Sequence, residues 1–400
     1  MTGIQEFALP VPRMSPAAGP AGKIPFGKPT TVGRELEYIA EAIRNGTISG
    51  GGPFTRRCEA WLEQALPARR ALLAHSCTAA LEMAAILSGV GPGDEVIMPS
   101  FTFSATATAF VLRGATPVFV DIRADTLNID ERLIEAAITP HTRVIVPVHY
   151  AGLACEMDPI LDLAARRDLL VIEDAAQAHL SHYKGRPLGA LGQMGCLSFH
   201  ETKNIISGEG GALLVNDDRF ADRAEIVREK GTDRSRFFRG EVDKYTWQDI
   251  GSSYCPGEII SAFLFAQFEH ADAICARRRA LYDQYRNGLA PIAAAGDITI
   301  PQATGAEANG HIFWLLLHDE PTRAALIRHL NGAGINAVFH YVPLHSAPAG
   351  RRFGRPAQER LSVTDAVSSR LLRLPLFLEL SDADVARVVG AVGAFFGRNL

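Results

Sequence analysis

Apolar positions along this chain of 400 residues first follow a helical period and then fall into short runs. After Arg34, apolar residues at 36, 39, 40 and 43 have the spacing of one helix face, and Gly46 marks its end. A second amphipathic helix is predicted over 54–66. The pattern then alternates, with strands predicted at 71–74, 95–98, 117–121, 143–149, 169–173, 196–199 and 211–215, and helices at 78–87, 103–112, 130–137 and 158–166.

This alternation predicts an α/β protein. Strands this apolar, separated by helices, are expected when a mainly parallel sheet is buried on both faces. The last third of the chain differs: a long helical stretch over 257–287 leads to a strand at 311–318 and helices at 324–331 and 382–395. We expect a large domain, residues 24–265, with a mainly parallel seven-stranded sheet, and a smaller C-terminal α+β domain, residues 266–400. Residues 1–23, rich in Pro and Gly without periodicity, are predicted to form a mobile N-terminal tail.

Composition narrows the classes of protein. The chain is 47% hydrophobic and has 40 Lys+Arg against 44 Asp+Glu, a net charge of −4. This excludes a wholly disordered protein and argues against a nucleic-acid binder, which needs a basic surface. No run approaches the ~18 apolar residues of a membrane span, and the first residues lack the pattern of a signal peptide. Six cysteines without a C-x-x-C pair are predicted to be reduced thiols, so the expected location is the cytoplasm.

Two charged residues follow predicted strands. Asp174 ends the run Leu169–Glu173, at the edge where open α/β sheets bind ligands. The alternative is that Asp174 only caps the next helix. Lys203 stands between the strand 196–199 and the glycine-rich turn 208–211. Taken alone, a lysine in such a position is usually only a solvated loop residue.

Two other strand ends carry different chemistry. Cys77 and Thr78 open a helix directly after a strand, where free backbone N–H groups and the helix dipole favour a phosphate. Simple N-capping by Ser76 or Thr78 is the alternative. Phe103 places an aromatic ring after the next strand, although by itself it is more simply explained as a core residue.

Together, the four segments indicate one cofactor. An anion-binding turn, a flat aromatic ring, a carboxylate and a lysine at strand ends of one sheet suit pyridoxal 5′-phosphate. The carboxylate would keep the pyridine nitrogen protonated, so that the ring accepts electrons. The lysine amine would form a Schiff base and later act as a general acid and base.

Longer motifs carry a family resemblance. The chain resembles the nucleotide-sugar aminotransferases of the DegT/DnrJ/EryC1/StrS type, with the aspartate-aminotransferase fold (fold type I), in the motifs SCTAALEMAA (76–85), PSFTFSATA (99–107), VPVHYAG (146–152), VIEDAAQ (171–177), SFHETKN (198–204) with GEGG (208–211), and FHYVPLH (339–345). It is most similar to the TDP-4-keto-6-deoxyglucose 4-aminotransferase branch, also called TDP-4-amino-4,6-dideoxygalactose transaminase, in residues 54–64, 227–254, 337–350 and 370–377. The resemblance runs from about Ile24 to the C-terminus.

The resemblance assigns roles to the residues that bind the cofactor. Lys203 matches the Schiff-base lysine, and family members that dehydrate sugars have histidine there, so transamination is favoured. Asp174 matches the carboxylate at the pyridine nitrogen, and Gln177 the residue beside the ring. The ring-stacking aromatic corresponds to Phe103. The phosphate contacts correspond to Cys77, Thr78 and Ser198.

The resemblance assigns four further site residues less directly. Ser253 stands where many members have an Asn that reaches the partner subunit's cofactor phosphate, so this departure leaves that contact open. Tyr150, His340 and Tyr341 resemble residues near the sugar. No metal is expected.

The resemblance also implies substrates and assembly. L-glutamate would donate nitrogen to the cofactor and leave as 2-oxoglutarate, and the amino group would then pass to C4 of a TDP-linked 4-keto-6-deoxy sugar, with the galacto product favoured. Enterobacterial common antigen and lipopolysaccharide O-antigen are the glycans that the family implies. A homodimer or a larger assembly is expected, because these enzymes build each active site from two subunits.

Three alternatives stay open. The fold could serve a UDP-linked or 3-keto sugar. A PLP-binding regulator without catalysis is a second alternative, although the sequence has no DNA-binding module. A zinc enzyme using His340 and His345 lacks a convincing third ligand.

Overall fold

The computed structural model describes residues 22–302 and 308–398, so most of the predicted tail lies outside the described residues. The helices are α1 Glu35–Arg44, α2 Pro53–Ala65, α3 Cys77–Leu87, α4 Ser104–Val111, α5 Glu131–Ala137, α6 Met157–Arg167, α7 Asp218–Arg228, α8 Arg234–Phe238, α9 Glu258–Phe268, α10 Ala271–Ala294, α11 Glu320–Gly332, α12 Pro348–Phe353, α13 Ser362–Arg370 and α14 Asp382–Phe395. The strands are β1 Arg70–Ala74, β2 Glu95–Pro99, β3 Thr116–Val120, β4 Thr142–Ile145, β5 Leu170–Asp174, β6 His182–Tyr183, β7 Arg186–Pro187, β8 Met194–Ser198, β9 Gly211–Val215, β10 Phe313–Leu316, β11 Arg355–Pro356 and β12 Leu371–Leu374.

One large sheet organises the first two thirds of the chain. Its strand order is β1-β9-β8-β5-β4-β2-β3-β11. The ladders from β8 to β11 are parallel, and only β9 pairs antiparallel, with β1 on one side and β8 on the other. The predicted α/β class and mainly parallel sheet are confirmed. The seven predicted strands are all present, and the short β11 adds an eighth from the C-terminal part.

Helices cover both faces of this sheet. Alternate side chains of the strands enter two different apolar clusters: Leu73 and Val171 lie in one, and Leu72 and Ile172 in the other. Both faces of the sheet are therefore buried under apolar side chains, as expected for apolar strands of a parallel sheet. The carboxyl ends of β5 and β8 open toward the C-terminal part, and this edge carries the residues discussed below.

The C-terminal part has its own apolar cluster. Strands β10 and β12 pair antiparallel, and helices α10, α11 and α14 pack around them. Ile24 belongs to this cluster and forms a bridge with Ile335. The N-terminal segment thus packs on the C-terminal part, and the domain boundary at 265/266 stays a prediction.

The first predicted helix is present as α1, but its apolar positions do not form its most buried face. Leu36 and Ile43 are 56% and 55% exposed, whereas Glu35, Tyr38 and Ala42 are buried. The reason is polar: the Glu35 carboxylate accepts hydrogen bonds from the backbone N–H of Val32 (2.7 Å) and from the Gln267 amide (2.7 Å). These bonds turn that face of α1 onto α9.

The stretch predicted to be helical over 257–287 is helical, but a break at 269–270 divides it into two helices, and the second continues to Ala294. α9 and α10 meet at an angle of 62°. Glu269, at the break, accepts a hydrogen bond from the Tyr38 hydroxyl (2.7 Å), and the ring of Phe268 stacks on Trp61 at 4.3 Å. The bend lets α9 pack on α1 and α2 while α10 continues into the C-terminal part.

No single helix in residues 22–302 and 308–398 is long and apolar enough to cross a membrane. Only the bent pair of α9 and α10 meets that test, by length and composition alone.

Glu258 supplies the missing cap of a neighbouring helix, which gives a stability prediction. Its fully buried carboxylate accepts hydrogen bonds from the backbone N–H of Phe54 (2.7 Å) and Thr55 (2.9 Å), in the first turn of α2. Glu258→Ala leaves these donors buried without acceptors, so we expect about 3 kcal/mol of destabilisation in urea unfolding. Glu258→Gln, which keeps an acceptor oxygen, should lose less than half of that. A loss below about 1 kcal/mol in Glu258→Ala would contradict the assignment.

Candidate active site

Asp174 ends β5, and its carboxylate is held from a neighbouring helix. The Thr106 hydroxyl in α4 donates to Asp174 Oδ2 (2.7 Å), and the Thr102 hydroxyl lies 2.9 Å from that of Thr106. The backbone N–H of Ala176 is 3.2 Å from Oδ1. Both threonines are buried, and Asp174 is only 5% exposed. The carboxylate is therefore fixed in direction, and it does more than cap the turn that follows.

The neighbouring Glu173 anchors the same strand from the opposite face. Its buried carboxylate accepts three backbone N–H groups from the turn at 189–192, at 2.7–2.8 Å. It also lies 3.0 Å from His149 Nε2, while His149 Nδ1 accepts the backbone N–H of Cys155 (3.1 Å). The imidazole proton is thus on Nε2, and the end of β5 is held on both sides.

Lys203 lies in the loop after β8 and is half-buried. Burial lowers the pKa of its amine, the negative charge of Asp174 acts in the opposite direction, and the positive charge of Arg373 lowers it further. Lys203 follows β8, which pairs in parallel with β5, so the lysine and Asp174 follow neighbouring strands at the same edge of the sheet. A lysine with a lowered pKa beside a carboxylate is unlike a solvated loop residue and is suited to nucleophilic chemistry.

The residue after Lys203 ties this loop to the C-terminal part. The amide of Asn204 donates to the backbone carbonyl of Asn309 (2.9 Å), and its oxygen lies 3.0 Å from His311 Nδ1. Asn309 in turn donates to the backbone carbonyl of Gln177 (2.9 Å). The two halves of the chain therefore position the lysine together.

The first turn of α3 presents backbone donors. Ser76 caps the helix by accepting the N–H of Ala79 (3.0 Å), which leaves the N–H groups of Cys77 and Thr78 without an acceptor inside the helix. Strand β9 approaches this turn very closely, since a Cβ on Gly211 would lie 2.4 Å from the Cys77 nitrogen. Ser76, and not Thr78, is the cap, so the Thr78 hydroxyl is not used for capping.

Aromatic and amide side chains form the remaining walls. The ring of Phe103, at the start of α4, is 62% exposed and lies 6.5 Å from that of Tyr341, so it is not a core residue. Gln177 donates to the Tyr341 hydroxyl (3.0 Å) and accepts the N–H of Ala151 (2.7 Å). His340 stacks on Tyr341 at 4.0 Å.

The two histidines of the zinc alternative have other partners. His340 Nδ1 lies 3.2 Å from the Tyr150 hydroxyl, and burial lowers the pKa of His340 to about 2. His345 Nδ1 lies 2.7 Å from the Ser100 hydroxyl. In the part of the chain that the structure describes, no three His, Cys, Asp or Glu side chains are grouped to hold a metal ion.

The structure thus brings together most of the predicted site residues within one chain. Ser198, at the end of β8, is buried near Lys203. Ser253 does not join them: it is exposed and bridges Glu229. Its predicted contact with a partner subunit stays a prediction.

Sequence reasoning missed two contributors, Thr106 and Arg373. The role of Thr106 could not be recognised in the sequence, because hydroxyl residues are common near helix starts. Arg373 left a usable signal, since it is a lone cation inside the apolar run 371–376.

The arrangement fits pyridoxal 5′-phosphate. The free N–H groups at α3, with Gly211 leaving no side chain against them, suit the phosphate. The Asp174 carboxylate suits a protonated ring nitrogen, and the amine of Lys203 suits an aldehyde carbon. The exposed ring of Phe103 offers a flat surface at the same edge.

Comparison with proteins of similar sequence leads to the same class of enzyme. A sequence profile of the DegT/DnrJ/EryC1/StrS aminotransferase family matches residues 29–393. The chain is 35% identical over 377 residues to GDP-perosamine synthase of Caulobacter vibrioides, covering 92% of this chain and 97% of that one. It is 33% identical over 380 residues to the spore coat polysaccharide biosynthesis protein SpsC of Bacillus subtilis, covering 92% and 96%.

A solved structure has the same fold. The sugar aminotransferase Spr1654 of Streptococcus pneumoniae in its PMP-form superimposes with a TM-score of 0.85 at 28% identity, covering 93% of this chain and 97% of that one. The same protein was solved in a PLP-form, also with a TM-score of 0.85. This chain therefore belongs to the DegT/DnrJ/EryC1/StrS family of sugar aminotransferases, and it is a pyridoxal-phosphate-dependent enzyme of the transaminase class.

Proposed function

We propose that this aminotransferase moves the amino group of L-glutamate to C4 of TDP-4-keto-6-deoxy-D-glucose. The products would be 2-oxoglutarate and TDP-4-amino-4,6-dideoxygalactose. The observation that carries the proposal is the lysine amine of lowered pKa beside the fixed carboxylate of Asp174, in a site walled by both halves of the chain.

The roles follow from position. Bound pyridoxal phosphate supplies an electron-accepting ring next to the substrate carbon. Asp174 would keep the ring nitrogen protonated, and Thr106 keeps that carboxylate aimed. Lys203 Nζ would take the proton from the donor's α-carbon in one half-reaction and give a proton to the sugar carbon in the other. Cys77, Thr78 and Ser198 would bind the phosphate.

The hydrogen bond from Thr106 to Asp174 gives a graded prediction. Thr106→Val keeps the shape of a buried side chain but removes the donor at 2.7 Å. Because a hydrogen bond to a charged group contributes about 1.5–3 kcal/mol, we expect kcat/KM to fall by about tenfold or more. Steady-state kinetics measure this, with Thr108→Val, two residues further along α4 and exposed, as the control. Equal activity of Thr106→Val and wild type would show that Thr106 does not aim the carboxylate.

The TDP nucleotide is proposed because several segments, above all residues 227–254, resemble the TDP-keto-sugar branch of the family. A second candidate is a GDP-linked 4-keto sugar, which the 35% identity to a GDP-perosamine synthase favours. UDP-linked and 3-keto sugars are further candidates. Turnover of TDP-, GDP- and UDP-linked keto-sugars at equal concentration decides among them. Preference for the TDP sugar supports the proposal, and preference for another sugar overturns that part alone.

The configuration at C4 is read from the product. In the proposed galacto product the new amine is axial, so the proton coupling between C3 and C4 in the NMR spectrum should be small. A large coupling would identify the gluco product. The resemblance further suggests that the amino sugar enters enterobacterial common antigen or lipopolysaccharide O-antigen, and that the enzyme works in the cytoplasm, in line with its six unpaired cysteines.

We infer that two copies of the chain assemble. Large apolar side chains are exposed in the segment that contains Ser253, including Trp247 (81%) and Phe238 (70%), and on the outer face of α1 at Leu36 and Ile43. Exposed apolar surface of this kind is typical of a protein interface. Light scattering coupled to gel filtration should give twice the mass of one chain, and a fully active single chain would contradict the inference.

A further inference from the structure

His345 joins two parts of the fold that meet beside the active site. Its Nδ1 lies 2.7 Å from the Ser100 hydroxyl oxygen, and its backbone N–H donates to the same oxygen (3.0 Å). The backbone N–H of Leu344 donates to the carbonyl of Ser100 (3.0 Å). Ser100 directly follows β2, and its own N–H donates to Val120, the last residue of β3 (3.3 Å). The chain around His345 is therefore bonded to the carboxyl ends of two strands of the large sheet.

The hydrogen bonds of His345 define its tautomer. Its Nε2 lies 3.2 Å from a carboxylate oxygen of Asp365, in α13, and a carboxylate can only accept a hydrogen bond. In the neutral imidazole the proton is therefore on Nε2, and Nδ1 accepts the hydrogen bond from the Ser100 hydroxyl. The oxygen of Ser100 then accepts the backbone N–H of His345. Both ring nitrogens and the hydroxyl thus have partners.

Serine, histidine and aspartate in contact are also the composition of a nucleophilic triad, but this arrangement does not suit that chemistry. Ser100 is fully buried, so a substrate does not reach its oxygen, which already accepts a backbone N–H. The side chain of Asp365 is 55% exposed, so water weakens its pairing with His345. The strong contact is the one between His345 and Ser100, and it joins two distant parts of the chain.

A crossing segment, residues 339–346, runs from the C-terminal part to the large sheet. It begins after Val338, which bridges β12, and it leads to α12 and β11, the strand that pairs with β3. Two of its apolar side chains, Phe339 and Val342, are 51% and 64% exposed, so apolar packing fixes only part of the segment. The hydrogen bonds of His345 fix its position on the sheet.

The crossing segment carries Tyr341 into the wall of the active site. The Tyr341 hydroxyl accepts a hydrogen bond from the amide of Gln177 (3.0 Å). Its ring also makes an edge contact at 5.4 Å with the ring of Phe101, the residue after Ser100. A shift of His345 away from Ser100 would therefore move Tyr341 against both of these neighbours.

We propose that His345 is a positioning residue of this enzyme: its bond to Ser100 fixes the crossing segment and so holds Tyr341 in the wall of the active site. His345 acts through Tyr341 and not on the reacting atoms. The assignment rests on the proposed function only in that a substrate binds against this wall, whichever nucleotide it carries. Loss of the bond should weaken substrate binding more than it slows the proton transfer at Lys203.

Two amide variants separate the two ring nitrogens of His345. The amide of His345→Asn reaches the place of Nδ1, so its oxygen can still accept the bond from Ser100. The amide of His345→Gln reaches the place of Nε2, so it can keep only the contact with Asp365. We expect His345→Gln to raise KM for the keto-sugar about tenfold, because a buried hydroxyl loses its partner. Its kcat, and both constants of His345→Asn, should stay within about threefold of wild type.

Removal of the other partner should have the same effect. We expect Ser100→Ala to raise KM at least as much as His345→Gln does. Combining the two should add less than about twofold to the loss in Ser100→Ala, because both remove one bond, whereas independent losses would multiply to about 100-fold. Ser346→Ala is the control, since the Ser346 hydroxyl donates to Pro343 (3.0 Å), within the crossing segment itself.

Amide hydrogen exchange of the full chain, loaded with cofactor and free of substrate, supplies a readout apart from activity. The N–H groups of Leu344 and His345 bond to Ser100, so they should exchange slowly in wild type. Mass spectrometry of the peptide that contains them should show exchange about tenfold faster or more in Ser100→Ala and in His345→Gln. His345→Asn and Ser346→Ala should exchange as wild type does.

Each other outcome has a definite meaning. Unchanged exchange in His345→Gln and Ser100→Ala would overturn the proposal, and so would faster exchange with unchanged KM. Equal losses in His345→Asn and His345→Gln would mean that the volume of the imidazole matters and its bond to Ser100 does not. A fall of kcat together with the melting temperature would show a role in folding alone. If wild type does not use the proposed keto-sugar, the proposed function is wrong, and the exchange rates, with KM for the sugar it does use, still decide the role of His345.

Discussion

Replacement of Lys203 by alanine is expected to lower the rate of amino transfer by about 10³-fold or more, in both half-reactions. Lys203 follows β8, the parallel neighbour of the strand that ends in Asp174, and both half-reactions need a proton moved at the substrate carbon. Stopped-flow absorbance of the cofactor with L-glutamate, and separately with keto-sugar, measures the effect. Turnover within about tenfold of wild type would overturn the assignment of Lys203.

The control for this variant is an exposed lysine. Lys184 has a left-handed backbone conformation (φ +50°) and an ion pair with Asp158 at the surface. Asparagine tolerates that conformation, so Lys184→Asn removes an amine without strain. It should keep full activity. Lys203→Ala should also keep its melting temperature, because removal of a half-buried amine relieves the desolvation that lowers its pKa.

Asp174→Asn is expected to lower kcat/KM by about 10²- to 10³-fold in both half-reactions, comparable to the loss of one electrostatic contact in an active site. The amide is nearly the same shape, and its oxygen can still accept the hydrogen bond from Thr106. Its NH2 group then faces the backbone N–H of Ala176, so the charge and the longer hydrogen bond from Ala176 (3.2 Å) are lost together. The cofactor ring would then lose the group that keeps its nitrogen protonated.

Kinetics of each half-reaction measure this loss, and Asp158→Asn, which affects only a surface ion pair with Lys184 and Arg186, serves as the control. Activity of Asp174→Asn within about threefold of wild type would mean that the carboxylate does not act on the ring.

Much of this arrangement was predictable because it depends on local patterns. Apolar strands that alternate with helices require a parallel sheet, and the carboxyl ends of such strands meet at one edge. The proximity of Asp174 and Lys203 follows from this rule, since their strands β5 and β8 are neighbours.

What escaped prediction depends on long-range contacts. The buried face of α1 is set by the hydrogen bonds of Glu35, and the bend between α9 and α10 by side chains distant in sequence, such as Tyr38. Arg373 reaches the site only because the C-terminal part folds against the large sheet. The predicted contact of Ser253 with a second subunit would depend on an assembly that a single chain does not contain.

We expect this chain, loaded with pyridoxal phosphate, to take up the amino group of L-glutamate, with Lys203 moving the proton at the substrate carbon. The most direct measurement is the visible absorbance of the loaded protein during titration with L-glutamate in the absence of sugar, with the released 2-oxoglutarate measured in parallel. We predict that the cofactor band converts fully and that about one 2-oxoglutarate appears per bound cofactor, as a two-step transfer requires. A band that L-glutamate leaves unchanged would contradict glutamate as donor, and the absence of any lysine-dependent band would contradict the site itself.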